Sequence, residues 1–261
     1  MTALPRLSHV YIIILENKES SSIVGRPDAA YVNALVSQYG LATAYTGITH
    51  PSLPNYMALT GGDTFFTDNC IGCRVDAPNI ADSLEQRGLT WRAYMEDMPE
   101  ACGQTDTALY TARHNPFVHY TNIAANASRC IAHVVPFNSF QSDLSSGRTA
   151  NFVWITPNLC NDMHDCDIAT GDRWLASIVP QIISAPDFAN SVLFITFDEG
   201  TSTIGGGGLT PLIVVSPRGL HAASSQPANH YDLLRTMADV LGVAPMGKAL
   251  HGRPLSEFFV N

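Results

Sequence analysis

Long apolar runs are missing from this chain of 261 residues. A helix that crosses a bilayer needs roughly 18 or more consecutive apolar residues. The longest run here, Val10 to Leu15, is stopped at once by Glu16. It reads as a buried strand, so no transmembrane or targeting segment is expected, and "MTALPRL" is read as a processed start whose signal peptide is gone. Positive charge is scarce as well: 14 Lys and Arg face 23 Asp and Glu, a formal net charge of −9. That balance excludes nucleic acid and anionic membrane surfaces as main partners. It does not exclude small anions, because a bound cation reverses the local field. Charged residues make up only 14% of the chain against 46% apolar, which excludes disorder and provides for a sizeable core. No linker and no internal repeat interrupts it, so residues 1–261 are read as one domain.

Cysteine is limited to six residues, which still allow 15 pairings. Three local pairs suggest themselves: Cys70 with Cys73, Cys102 with Cys130, and Cys160 with Cys166. Zinc is the rival reading. Four-cysteine zinc sites usually show two tight knuckles, and only Cys70–Cys73 has such a spacing. Disulfides imply an oxidising compartment, secreted or periplasmic.

What the chain does contain is a series of short β-rich apolar runs: His9–Leu15, Thr90–Met95, Asn151–Thr156, Ser191–Phe197 and Pro211–Ser216. Continuous rather than alternating apolarity marks strands covered on both faces. Amphipathic segments lie between them at Asp28–Tyr39, Pro78–Arg87, Asp172–Ser184 and Tyr231–Leu241, with Gly40, Gly88 and Gly242 as stops for three of them. The alternation predicts an α/β fold, a doubly wound and mostly parallel sheet sandwiched by helices. Residues 98–143 lack periodicity and are expected to form loops or a small cap over one edge.

Polar residues crowd the ends of the strands. The first strand runs into Glu16-Asn17, the third into "PNLCNDMHD", the fourth into Asp198-Glu199. Ligands of open α/β sheets bind outside the carboxyl ends of the strands. Three acids and an amide gathered there would repel unless a cation sat among them, and oxygen donors suit Ca²⁺, Mg²⁺ or Mn²⁺ better than Zn²⁺. Ser52 stands between Pro51 and Pro54, at the mouth of a helix expected from about Pro54 to Gly61-Gly62. The amino end of a helix attracts anions, and a hydroxyl next to a divalent ion becomes a usable nucleophile. His164 and His230 are candidates to bind a phosphoryl oxygen or protonate a leaving group. His114 and His50 are further candidates, and the remaining histidines carry no site signal. "GGGG" at Gly205–Gly208 lacks the Lys-Ser/Thr of a nucleotide loop and reads as a mobile loop beside Asp198-Glu199.

"ILEN", "THPSLPNYMALTGG", "WITPNLCNDMHD", "FITFDEG" and "NHYDLLRTM", in this order over nearly the whole chain, resemble the bacterial phosphoesterase family of secreted acid phosphatases and phospholipases C, within the alkaline-phosphatase-like superfamily. The resemblance implies a hydrolase of phosphate esters that depends on one divalent metal ion and a serine nucleophile. It implies that Glu16, Asn17, Asp198, Glu199 and the oxygen of Ser52 hold the metal. It also implies that His164 and His230 flank the phosphoryl group, with His114 and Asn55 as further contacts. Phosphomonoesterase is the expected activity, on a phosphorylated small molecule or a phospholipid head group. Phospholipase C or another phosphodiesterase is the alternative, and a non-catalytic calcium-binding module the second.

Overall fold

Each expected strand forms. In a computed structural model, which describes residues 4–260, the strands are β1 (His9–Leu15), β2 (Gly40–Ala42), β3 (Tyr45–Thr46), β4 (Trp91–Met95), β5 (Val134–Pro136), β6 (Phe152–Thr156), β7 (Ser191–Phe197), β8 (Leu212–Val215), β9 (Ala223–Ser224) and β10 (Ala228–Asn229). Eight of them make one sheet in the order β5-β4-β6-β1-β7-β8-β2-β9, and β3 pairs with β10 apart from it. All neighbours in the large sheet run parallel except at β8, which is antiparallel to β7 and to β2. The start at Met1–Leu7 falls in part outside the described residues.

The central position of β1 follows from its composition. Successive side chains of a strand point to opposite faces. Val10, Ile12 and Ile14 enter one core, while Tyr11, Ile13 and Leu15 enter the other. Helices Ser52–Gly61 and His230–Leu241 close the first face through Tyr56, Met57, Leu233 and Met237. Helices Ala30–Val36 and Ile168–Ile183 close the second through Val32, Leu35, Leu175 and Val179. The sheet is therefore doubly wound, and each fully buried aliphatic side chain of β1 contributes about 1.5–3 kcal/mol.

Several local expectations change. Gly40 is the first residue of β2 and not a helix stop, because the preceding helix ends at Val36. The long helix starts at Ile168, capped by Asp167, and frees Asp172 to accept from Tyr31 N and Val32 N at the start of a neighbouring helix. Residues 98–143 do more than cover an edge: short turns and helices lead into β5, which is an edge strand of the sheet. The six cysteines pair as Cys70–Cys73, Cys102–Cys130 and Cys160–Cys166, leaving none for zinc. Among the described residues no helix is long and apolar enough to cross a membrane.

Candidate active site

β1, β6 and β7 are parallel neighbours, so the residues after their last positions emerge on one edge. Glu16-Asn17 follows β1, Asp162 and His164 lie in the loop after β6, and Asp198-Glu199 follows β7. Asn17 takes a left-handed backbone (φ 52), which asparagine tolerates better than most residues. Its N–H donates to Asp198 Oδ1 at 3.1 Å, tying the Glu16-Asn17 pair to Asp198-Glu199.

Ser52 comes from the first covering helix. That helix begins at Ser52 itself, two residues before the expected Pro54. The hydroxyl is 3% exposed and donates to Glu16 Oε2 at 3.1 Å, with Glu199 Oε1 at 3.5 Å. The helix amides offer less to an anion than the sequence suggests: Leu53 N donates to Asn69 Oδ1 at 2.9 Å, and Pro54 has no N–H.

Two expected contacts change role. Asn55 accepts from Ile48 N and Thr49 N at 2.8 and 3.2 Å, and donates to Thr49 O and Pro51 O at 2.8 and 3.2 Å. All four hydrogen-bonding places of its amide are filled, so Asn55 shapes the elbow before Ser52 and has none left for substrate. His230 is fully buried, with Nδ1 2.6 Å from Tyr45 Oη and Nε2 against the Asp198 carbonyl oxygen. Burial lowers its pKa to about 4, and with both nitrogens occupied it supports Asp198 from behind instead of protonating a leaving group. His164 lies in the loop after β6 on this edge: its side chain is 29% exposed, Nδ1 lies 2.6 Å from Asp165 Oδ1, and Nε2 has no hydrogen-bond partner among the described residues. His50 lies with Nδ1 against Glu199 Oε2 and Nε2 2.9 Å from Ser202 O.

His114 sits deeper than a substrate contact would. Nε2 is 3.4 Å from Glu16 Oε2, Nδ1 is 3.4 Å from Asp162 Oδ2, and the ring stacks on Tyr56 at 5.4 Å. Tyr56 donates to Glu16 Oε1. Neither Tyr56 nor Asp162 was singled out from the sequence. The signal for Tyr56 is its position one helical turn after Ser52, which puts both hydroxyls on one face. For Asp162 it is membership of the polar loop after β6.

The electrostatics are those of an acid cluster short of positive charge. Burial, then repulsion from Asp198 and Asp162, holds Glu16 well above the usual carboxylate range. Burial likewise raises Asp198 to about 6 and Asp162 to about 7, and burial with the Asp198 charge raises Glu199 to about 9. Burial, then the nearby Arg113 charge, pushes His114 well below its ordinary value. Buried Asp162 Oδ2, Asp198 Oδ2 and His114 Nε2 have no hydrogen-bond partner among the described residues. Ligand atoms of Glu16, His114 and Asp162 lie within 4.8 Å of one another, a spread that one ion could span at ordinary bond lengths of about 2.0–2.5 Å. Unpartnered carboxylate oxygens next to an unpartnered imidazole nitrogen fit a divalent cation. The ring nitrogen brings Zn²⁺ back into range beside Mg²⁺, Ca²⁺ and Mn²⁺.

Residues 16–244 match the profile of the Phosphoesterase family. The chain is 30% identical to a phosphatidylinositol-3-phosphatase of Mycobacterium tuberculosis, over 99% of this chain and 85% of that protein. It is 35% identical to an acid phosphatase of Aspergillus fumigatus over 63% of this chain, and 32% identical to a probable acid phosphatase of Kluyveromyces lactis over 72%. It spans 39% and 47% of the lengths of these two fungal proteins. A crystal structure from Vibrio parahaemolyticus, of a protein in the alkaline phosphatase superfamily, overlays with a TM-score of 0.68 at 12% identity, covering 98% of this chain and 72% of that one. The phosphonate monoester hydrolase of Silicibacter pomeroyi overlays at 0.63 with 12% identity, covering 95% and 76%. The chain therefore belongs to the Phosphoesterase family, a phosphoric ester hydrolase on the fold of the alkaline phosphatase superfamily.

Proposed function

We propose that the protein is a metal-dependent phosphomonoesterase of the acid phosphatase type that works through Ser52. One observation carries this reading: a nearly buried serine hydroxyl at a helix start lies between two carboxylates, on the edge where the strands deliver four acids. The Ser52 proton leaves along the bond to Glu16 Oε2, which accepts from the hydroxyl at 3.1 Å. Oγ forms a bond to phosphorus as the bond to the leaving oxygen breaks, giving a phosphoserine. His164, half-exposed at the mouth, supplies the proton that the leaving oxygen takes. In the second half water gives a proton to His164 and bonds to phosphorus as the bond to Ser52 Oγ breaks; Oγ takes its proton back from Glu16 Oε2, and phosphate leaves. A divalent ion held by Glu16, Asn17, Ser52, Asp198 and Glu199, with His114 and Asp162 beside it, would lower the hydroxyl pKa and offset charge at phosphorus.

The relatives' printed names support a monoester substrate, and the name phosphatidylinositol-3-phosphatase supports assaying a phospholipid head group beside phosphorylated small molecules. Three disulfides support a place outside the cytoplasm. Residues 1–261 act as one unit in this reading, with 98–143 as the wall that delivers His114. Ser52→Ala is expected to lose turnover while keeping its fold and its ion. Near-normal hydrolysis of p-nitrophenyl phosphate by that variant would rule out the covalent route. Faster hydrolysis of bis-p-nitrophenyl phosphate or phosphatidylcholine by the wild type would favour the diesterase.

A further inference from the structure

Glu19 follows Glu16-Asn17 after β1 but turns away from the cluster. Its Oε1 accepts from Thr201 N at 3.0 Å and Ser202 N at 2.7 Å, and its Oε2 from Leu209 N at 3.2 Å. Ser20 N donates to Leu209 O at 2.7 Å, so two successive residues of one segment hold both ends of the loop after Asp198-Glu199.

That loop explains the glycine run. A Cβ on Gly200 would lie 2.5 Å from Glu19 Oε1 and one on Gly208 2.7 Å from it, so only bare backbone can close round this carboxylate. Gly200 N donates to Gly207 O at 2.7 Å, and Gly47 N to Gly208 O at 3.0 Å. A Cβ on Gly207 would lie 2.7 Å from Thr49 N, in the elbow that leads to Ser52. The segment expected to be a mobile loop is a wound plug seated between the Ser52 elbow and Glu19.

The same loop reaches the site. Ser202, held by Glu19 through its N–H, offers its carbonyl to His50 Nε2, and His50 Nδ1 faces Glu199. Glu199 in turn is the second carboxylate at the Ser52 hydroxyl. Segments 16–20, 46–52 and 198–209 between them carry Glu16, Asn17, Ser52, Asp198 and Glu199, and Glu19 sits where the first meets the third.

We propose that Glu19 is a positioning residue that sets Glu199 and His50 against Ser52, with Gly200 and Gly205–Gly208 as its seat. The assignment rests on the Ser52 hydrolase reading above. Misplacing reacting groups by about 1 Å costs on the order of 100-fold in rate, so a released loop acts on turnover more than on substrate affinity.

The test compares Glu19→Ala and Glu19→Gln with the wild type by three measurements: amide exchange in metal-free protein, calorimetric titration with Mn²⁺, and kcat and KM for p-nitrophenyl phosphate. In Glu19→Ala the Thr201, Ser202 and Leu209 amides are expected to exchange freely, Mn²⁺ affinity to weaken about tenfold, and kcat to fall about 10- to 100-fold with KM little changed. Glu19→Gln keeps an oxygen for Thr201 and Ser202 and is expected to recover most of the loss. Released amides with unchanged kcat and Mn²⁺ affinity would overturn the proposal, as would equal losses in both variants. If Glu19→Ala does not fold, Gly200→Ala, which displaces the carboxylate, is expected to reproduce the loss, and wild-type kcat in that variant would overturn it. A wild type that hydrolyses no phosphate ester would sink the hydrolase reading, and the Mn²⁺ titration then decides the part of Glu19 by itself.

Discussion

Stripping the proposed divalent ion and titrating it back at several pH values reads the acid cluster directly. In the metal-free protein burial raises Asp198 to about 6 and Asp162 to about 7. An ion that needs both as carboxylates competes with a proton at each. At pH 8 both are ionised. At pH 5 Asp198 is ionised in about one molecule in ten and Asp162 in about one in a hundred, so affinity falls about a thousand-fold, about 4 kcal/mol. Glu199, raised to about 9, adds in the same direction. Stability has a definite sign too. An acid whose pKa is raised by folding contributes stability that is fully present below its unfolded pKa and lost as pH rises through its folded pKa. Metal-free protein is therefore expected to melt at a lower temperature at pH 8 than at pH 5, and added Mn²⁺ to restore most at pH 8. Calorimetric titration of EDTA-treated protein at pH 5, 6.5 and 8, with melting curves beside it, measures both effects. Affinity independent of pH, or a metal-free melting temperature that rises from pH 5 to 8, would refute the reasoning. With affinity lower at acid pH, activity there is expected to need more ion than activity at neutral pH, which an assay at a single ion concentration would miss.

Asn55→Ala removes four bonds to the elbow and is expected to cost about 2–4 kcal/mol, lowering the melting temperature by roughly 4–16 °C together with kcat. His164→Gln is expected to slow alkyl phosphates about 100-fold or more and p-nitrophenyl phosphate much less, because nitrophenolate leaves without a proton; equal slowing of both would remove His164 from the acid role. Replacing Cys102 and Cys130 by serine opens the widest loop, a separation of 28 residues, and is expected to cost about 3–4 kcal/mol in chemical denaturation. A smaller loss than in the Cys70/Cys73 variant would contradict that ranking.

The large strands were legible because a strand buried on both faces needs nothing but apolar residues, and His9–Leu15 and Ser191–Phe197 have their expected bounds. The strands β2, β3, β9 and β10 were not, since pieces of two or three residues carry no periodicity and exist through distant partners. The polar pairs Glu16-Asn17 and Asp198-Glu199 showed themselves by ending buried strands. Depth did not: His230 and His114 look like surface-accessible bases in the sequence, and only packing reveals one behind Asp198 and the other between Glu16 and Asp162. Asn55 misled for a related reason. An amide after a proline-bounded serine can face substrate or its own chain, and four backbone partners within seven positions settle it.

The Cys160–Cys166 bridge encloses Asp162 and His164 in a small covalent ring, so an acid of the cluster and the proposed proton donor share one fastening. Thiols that open this ring, whose two cysteines are partly exposed, before the Cys102–Cys130 bridge, whose Cys130 is fully buried, loosen both at once. A reductant should then quench hydrolysis well before it lowers the melting point, and reoxidation should bring the activity back without refolding.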